Sequence, residues 1–141
     1  MKSEREGEVA IRWIDHLAIT VSDMDSTLEF YKRVLDAQTH YEAEFRKGEI
    51  PVVILQVGAS RISVHLANSP ASPHAAVPQP GSADLCFRWE GSIEKALARL
   101  RSENIEVVEG PVPRPAANGV MGQSIYFRDP DDNLLEFLTT D

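Results

Sequence analysis

The chain carries one order of hydrophobic patterns twice, on either side of a proline-rich interruption, and this repetition limits the fold more than any other feature. In the first copy, residues 14–21 alternate as a strand does. Ser22-Asp23-Met24-Asp25 then offers a run of helix N-cap candidates. Leu28, Tyr31 and Leu35 recur at helical spacing over 26–35, with Phe30 and Val34 widening the stripe. Three shorter β-like runs follow at 38–45, 52–57 and 61–66, punctuated by Gly48 and by Gly58-Ala59-Ser60. The interruption holds Pro70, Pro73, Pro78 and Pro80, and proline neither donates to a ladder nor continues a helix. In the second copy, 84–89 is β-like. Gly91-Ser92 opens a helix with Ile93, Ala96, Leu97 and Leu100 on one face, and Asn104 marks its end. Strands are expected at 106–109, 123–127 and 134–139, the last after the turn Asp129-Pro130-Asp131-Asp132-Asn133.

The order is therefore βαβββ, linker, βαβββ. Neither half can bury a sheet face alone, so the two should pair. This predicts an α+β fold in which modules 11–68 and 83–141, joined by linker 69–82, form a curved, mostly antiparallel sheet. The sheet should enclose a cleft, with the helices outside. Residues 1–10 are expected to be a frayed tail or an added edge strand. At 141 residues and 43% hydrophobic, the chain suits one domain with a real core.

Charge and cysteine content narrow the function. A net charge of -8 argues against nucleic acid and against an anionic membrane surface, both of which need clustered Lys and Arg. No apolar stretch approaches the about 18 residues of a spanning helix. Residues 1–10 are charged and lack an apolar segment, so no secretory signal is expected. Cys86 is the single cysteine, which precludes an intrachain disulfide and makes a reducing cytoplasm the expectation.

Strand side chains alternate faces, and one parity places His16, His65, Asp84 and Glu136 on the cleft side of four strands. Glu136 lies between Leu134-Leu135 and Phe137-Leu138, where an unpaired charge costs several kcal/mol. A divalent cation is the simplest compensation. Two imidazoles with carboxylates suit Fe, Mn, Co, Ni or Zn. A lone strand histidine is ordinarily a core or surface residue. Here His16 and Asp84 both open the first strand of a half, and His65 and Glu136 both sit in the last. Arg61 and Arg88 share the cleft face, either to hold an anionic substrate or to end as solvated charges at the rim. Arg114 and Asn118 lie in the segment 110–122, either a loop covering the cleft or a plain surface excursion. Tyr126 and Ser124 are candidates to line the pocket. Cys86 reads as a packed thiol, His40 and His74 as surface residues, and Trp13 and Trp89 as core or interface.

These residues also resemble a known family. Ile14-Asp15-His16-Leu17-Ala18-Ile19-Thr20-Val21-Ser22-Asp23 is similar to the opening strand and turn of the vicinal oxygen chelate superfamily, which spans glyoxalases, bleomycin-resistance proteins and extradiol dioxygenases. Phe30-Tyr31-Lys32-Arg33-Val34-Leu35 resembles its first helix, and residues 124–136 its closing hairpin. Ile62-Ser63-Val64-His65, residues 80–87 and residues 109–114 resemble a subgroup that includes glyoxalase domain-containing protein 5 and proteins labelled virulence protein or biphenyl-diol dioxygenase III-related. The resemblance implies glyoxalase-like paired modules, a homodimer, a small-molecule substrate, and one divalent metal with Glu136 as a ligand. It implies bidentate coordination of two substrate oxygens, with a metal-bound water or Glu136 as the base. The chemistry would be that of a lyase or isomerase, or that of a ring-cleaving dioxygenase. A metal-free drug-binding protein on the same fold is the alternative. Asp84 stands where many metal-dependent members carry histidine. If it binds, four protein ligands leave two open positions; if not, two histidines and a carboxylate resemble the facial triad of iron oxygenases. Asp132 and Asp36 stand where glycines are common, and Asp tolerates left-handed geometry.

Overall fold

A computed structural model describes Gly7 and residues 10–141. Most of the tail expected at 1–10 therefore lies outside the described residues. The first module contains β1 (Leu17–Val21), α1 (Met24–Leu35), β2 (Gln38–His40), a short helix α2 (Glu42–Arg46), β3 (Val52–Val57) and β4 (Ser60–Leu66). The second contains β5 (Asp84–Arg88), α3 (Ile93–Ser102), β6 (Glu109–Pro115), β7 (Met121–Arg128) and β8 (Leu134–Thr139). Each module makes a four-stranded sheet, in the orders β1-β4-β3-β2 and β5-β8-β7-β6. In each, the first strand runs parallel to the last and the other pairs are antiparallel, so the sheets are mixed. The fold is the expected α+β architecture of two βαβββ units. The expected single sheet is instead two: β1 and β5 line shared clefts, but no backbone ladder joins them among the described residues.

Local chemistry sets the helix ends. Asp23 caps α1 by accepting from the Ser26 N–H at 2.9 Å, and Asp36 closes it in the left-handed region at φ 55°. Ser92 caps α3 through the Lys95 N–H. The apolar stripes then dock: α1 buries Leu28, Tyr31, Val34 and Leu35, and α3 buries Ile93, Ala96 and Leu100. Leu55 and Val64 meet this layer from one sheet, and Ile125, Phe127, Leu135 and Phe137 from the other, in a single core. Polar bonds cross between modules. The buried Tyr31 hydroxyl donates to Asp129 Oδ2 at 2.7 Å, Ser22 donates to Asp131, and Arg33 pairs with Glu103 at 3.0 Å.

Two local expectations are corrected. The run 38–45 is extended only through His40. Tyr41 adopts φ 71°, which breaks the strand, and α2 follows, held at Glu42 by Lys32 at 2.8 Å and Thr39 at 2.9 Å. The strand expected at 106–109 and the loop expected at 110–122 resolve into β6 and a tight hairpin into β7. β6 is an edge strand, where missing proline donors are tolerated. Gly110 lies at a break in its register with φ 110°, and a Cβ there would stand 2.4 Å from the Ser124 carbonyl oxygen.

Candidate metal centre

His16 lies one residue before β1, and its side chain is half exposed. Its Nδ1 lies 2.9 Å from Asp15 Oδ2. A carboxylate oxygen accepts, so Nδ1 carries a hydrogen and Nε2 is the nitrogen left to bind an ion. This arrangement suits a metal ligand. His65 stands near the end of β4, opposite Thr20 of β1 and Val52 of β3. Its Nε2 lies 3.1 Å from Ser63 Oγ, a hydroxyl that can turn either way. Burial pushes the His65 imidazole below its ordinary basicity, and the neighbouring His16 and His74 rings act in the same direction. His16 and His65 line one cavity of about 390 Å³ with Thr20 and with Pro70, Pro73 and His74 of the linker.

Glu136 occupies the corresponding face of the second sheet, opposite Cys86 of β5 and Tyr126 of β7. The buried Ser124 hydroxyl donates to Glu136 Oε2. Leu135 and Phe137 turn into the core, so the carboxylate is only half buried and already has a donor. Cys86 is exposed beside it and is not the packed thiol expected. Partial burial pushes that thiol up to about 12, with the Glu136 carboxylate adding to the effect, so it stays protonated near neutrality. Burial also raises Tyr126; its bond from Arg114 opposes the rise and Glu136 adds to it. Arg114 donates from Nε to the Tyr126 hydroxyl at 3.0 Å, lies 5.6 Å from the ring centroid, and pairs with Glu109 at 3.0 Å.

The remaining candidates occupy the margins. Asp84 begins β5 opposite Leu134 and is exposed. Arg88 donates to Thr140 Oγ1 at 2.7 Å. Arg61 is exposed. Asn118 Oδ1 accepts from the Val120 N–H within the β6–β7 turn.

Two imidazoles and a carboxylate are the donors a divalent first-row cation takes, so the chemistry of the set fits such an ion. The placement divides it. Among the described residues no three His, Cys, Asp or Glu side chains come close enough to share an ion. Ladder register also alters the repeat correspondence. Leu17 pairs with Ile62 as Leu85 pairs with Leu135, so Glu136 corresponds to Ser63, and His65 to Leu138. His16 and Asp84 do correspond. His74, read from the sequence as a surface residue, is indeed exposed, and it lines the same cavity as His16 and His65. A histidine among prolines shows no periodicity that would reveal this.

Comparison with known proteins identifies the family. The chain is 41% identical over 135 residues to the glyoxalase domain-containing protein RDO1 of Mycosarcoma maydis, covering 96% of this chain and 72% of that one. It is 40% identical over 129 residues to the virulence protein STM3117 of Salmonella typhimurium, covering 92% and 85%. The crystal structure of that virulence protein superposes with a TM-score of 0.83 at 38% identity, over 94% of this chain and all (100%) of the other. The metallothiol transferase FosB of Shouchella clausii is 28% identical over 129 residues, covering 92% and 81%. The model of the Glyoxalase/Bleomycin resistance protein/Dioxygenase superfamily matches residues 13–137. Relatives at this identity, an unbroken family match and paired βαβββ sheets together establish that the chain belongs to this superfamily.

Proposed function

We propose that the protein is a divalent-metal-dependent enzyme acting on a small substrate through two of its oxygens, by lyase or isomerase chemistry or by ring-cleaving dioxygenation. His16, His65 and Glu136 are the protein ligands, with Asp84 as a fourth. The observation that carries this reading is the pair of imidazoles in one cavity: Asp15 fixes the tautomer of His16, and burial favours the neutral form of His65. FosB, by name a metallothiol transferase, lends support.

A bound divalent ion of the Fe, Mn, Co, Ni or Zn series would stabilise negative charge on the substrate oxygens. The chain's own groups do the rest. Glu136, when free of the ion, takes the substrate proton, and Ser124 orients it. Tyr126 and Arg114, already bonded to each other, present donors to a polar or anionic substituent. Arg61 and Arg88 add positive charge at the margin, and Asn118 shapes the hairpin turn beside Arg114.

Because no three donors meet among the described residues of one chain, the working form is a homodimer in which one copy supplies the histidines and the other Glu136. Ile11, Trp13 and Ile14, next to His16, are 81%, 72% and 79% exposed, and such an apolar run suits a contact with a second copy. A cytoplasmic location fits the single reduced thiol. Elemental analysis of protein purified without chelator, beside His65→Ala and Glu136→Ala, tests the reading. Near-stoichiometric metal lost in both variants is expected. A parent that stays metal-free after reconstitution with each candidate ion would overturn it and leave a metal-free binding protein.

A further inference from the structure

We propose that the seam between the modules holds a second small-molecule site, which binds a zwitterion with an apolar body: an α-amino acid with an aromatic or branched side chain. The site is separate from the candidate metal centre and does not depend on the metal-dependent reading.

A cavity of about 630 Å³ opens where the end of α1, the β3–β4 turn and β5 meet. Pockets that hold small ligands usually measure about 300–1,000 Å³. The cavity shares no residue with the one that His16 and His65 line, although Cys86, opposite Glu136, is among its walls. Leu35, Phe87, Trp89 and Phe137 supply apolar wall. Leu35 and Phe137 belong to the core, and the Trp89 ring packs on Phe137 at 5.2 Å, so this surface is held in place by core packing. The turn that lines the other side, Gly58-Ala59-Ser60, has small side chains and leaves the space open.

Charge decides the class of ligand. Four charged side chains line the cavity: Asp36, Arg88, Glu90 and Arg99. Arg99 and Asp36 pair with each other. Arg88 and Glu90 have no ion-pair partner among the described residues, and Arg88 donates to the neutral Thr140 hydroxyl. A simple anion would satisfy Arg88 and set a like charge near Glu90; a simple cation would do the reverse. A ligand that carries a carboxylate and an ammonium a few ångströms apart matches both, and the apolar wall takes its side chain. β5 is also an edge strand, so its outer N–H and C=O groups have no ladder partner among the described residues and offer further bonds to such a ligand.

The test is calorimetric titration of the full-length, chelator-treated protein with L-phenylalanine and L-leucine, beside 3-phenylpropanoate, phenethylamine and glycine. These three lack the ammonium, the carboxylate and the apolar body in turn. Saturable binding of both amino acids is expected, with each of the three at least about tenfold weaker than L-phenylalanine. Arg88→Met and Glu90→Gln should each weaken L-phenylalanine about tenfold. Ala59→Trp, which fills the cavity from the turn, should abolish binding with the melting temperature unchanged. His65→Ala and Glu136→Ala should bind as the parent does. No saturable binding of either amino acid by the parent, equal binding of 3-phenylpropanoate, or binding that survives Ala59→Trp would overturn the inference. Binding lost in His65→Ala or Glu136→Ala would move the ligand to the metal centre and overturn it as well.

Discussion

The two modules share a scaffold and differ in what they mount on it. Both order their strands with the first paired parallel to the last, and both cover one face with a capped amphipathic helix. Yet the first presents imidazoles, at His16 and His65, and the second a carboxylate ringed by Ser124, Cys86 and Tyr126. Their outer edges differ too. The first ends in the three-residue β2 followed by α2; the second ends in the seven-residue β6 with its prolines. A duplicated backbone needs only a repeated apolar pattern, because burial is non-directional. A binding site needs particular donors at particular register positions, and these diverge without disturbing the core.

The largest expected effect comes from removing either half of the donor set. His65→Ala and Glu136→Ala lie in different modules and should each abolish metal retention while leaving the fold intact. Elemental analysis with circular dichroism checks this, and retention by either variant would confine the site to the other module. The core offers a second comparison. Phe127→Ala in the second module should cost about 3–5 kcal/mol and Leu55→Ala in the first about 2–5 kcal/mol, since both side chains are fully buried. With one shared core, each variant should lower a single cooperative melting transition in calorimetry. Two separated transitions would mean that the modules fold independently.

A smaller loss tests the link between modules. Tyr31→Phe removes the donor to Asp129, which keeps bonds from Asn133 and from the Asp131 N–H, so a loss of about 1 kcal/mol is expected in denaturant titration. The smallest effect is a pH dependence. Folding depresses the His65 pKa below the unfolded value of 6.5, so the folded chain binds fewer protons than the unfolded one in the window just below that value. The contribution is fully present above about pH 6.5 and is lost as pH falls toward the folded pKa. Melting temperatures across pH 5–8 should show a shallow decline on acidification that is weaker in His65→Asn. An unchanged slope in that variant would assign the dependence to other groups.

Much of the scaffold is legible in the sequence because it rests on local periodicity. The stripe of Leu28, Tyr31 and Leu35 marks α1, and the alternation around Ile19 and Val21 marks β1. Asp36, Asn104 and Asp132, residues that tolerate left-handed backbone, all adopt positive φ. Where the reading failed, a non-local partner decided the outcome. Nothing in residues 41–46 announces α2, because Glu42 is fixed by Lys32 from the preceding helix. The prolines at 111, 113 and 115 read as a loop because only pairing with β7, on an open edge, makes them a strand.

The candidate site divides in the same way. Alternation alone assigns His16, His65 and Glu136 to the cleft side of their strands, since side chains on a pleat must alternate. The family too is legible, in the opening strand and the closing hairpin. The register between β1 and β4 and between β5 and β8, which sets Glu136 against Cys86 and His65 against Thr20, belongs to the ladders and emerges only when both strands are in place. So does the position of His74, which no periodic pattern marks and which lines a cavity with His16 and His65 only because the linker packs against β1. Residue type and strand parity are local properties that sequence carries by itself. Which donors meet depends on register and chain crossing, and these are fixed by long-range backbone pairing and core packing.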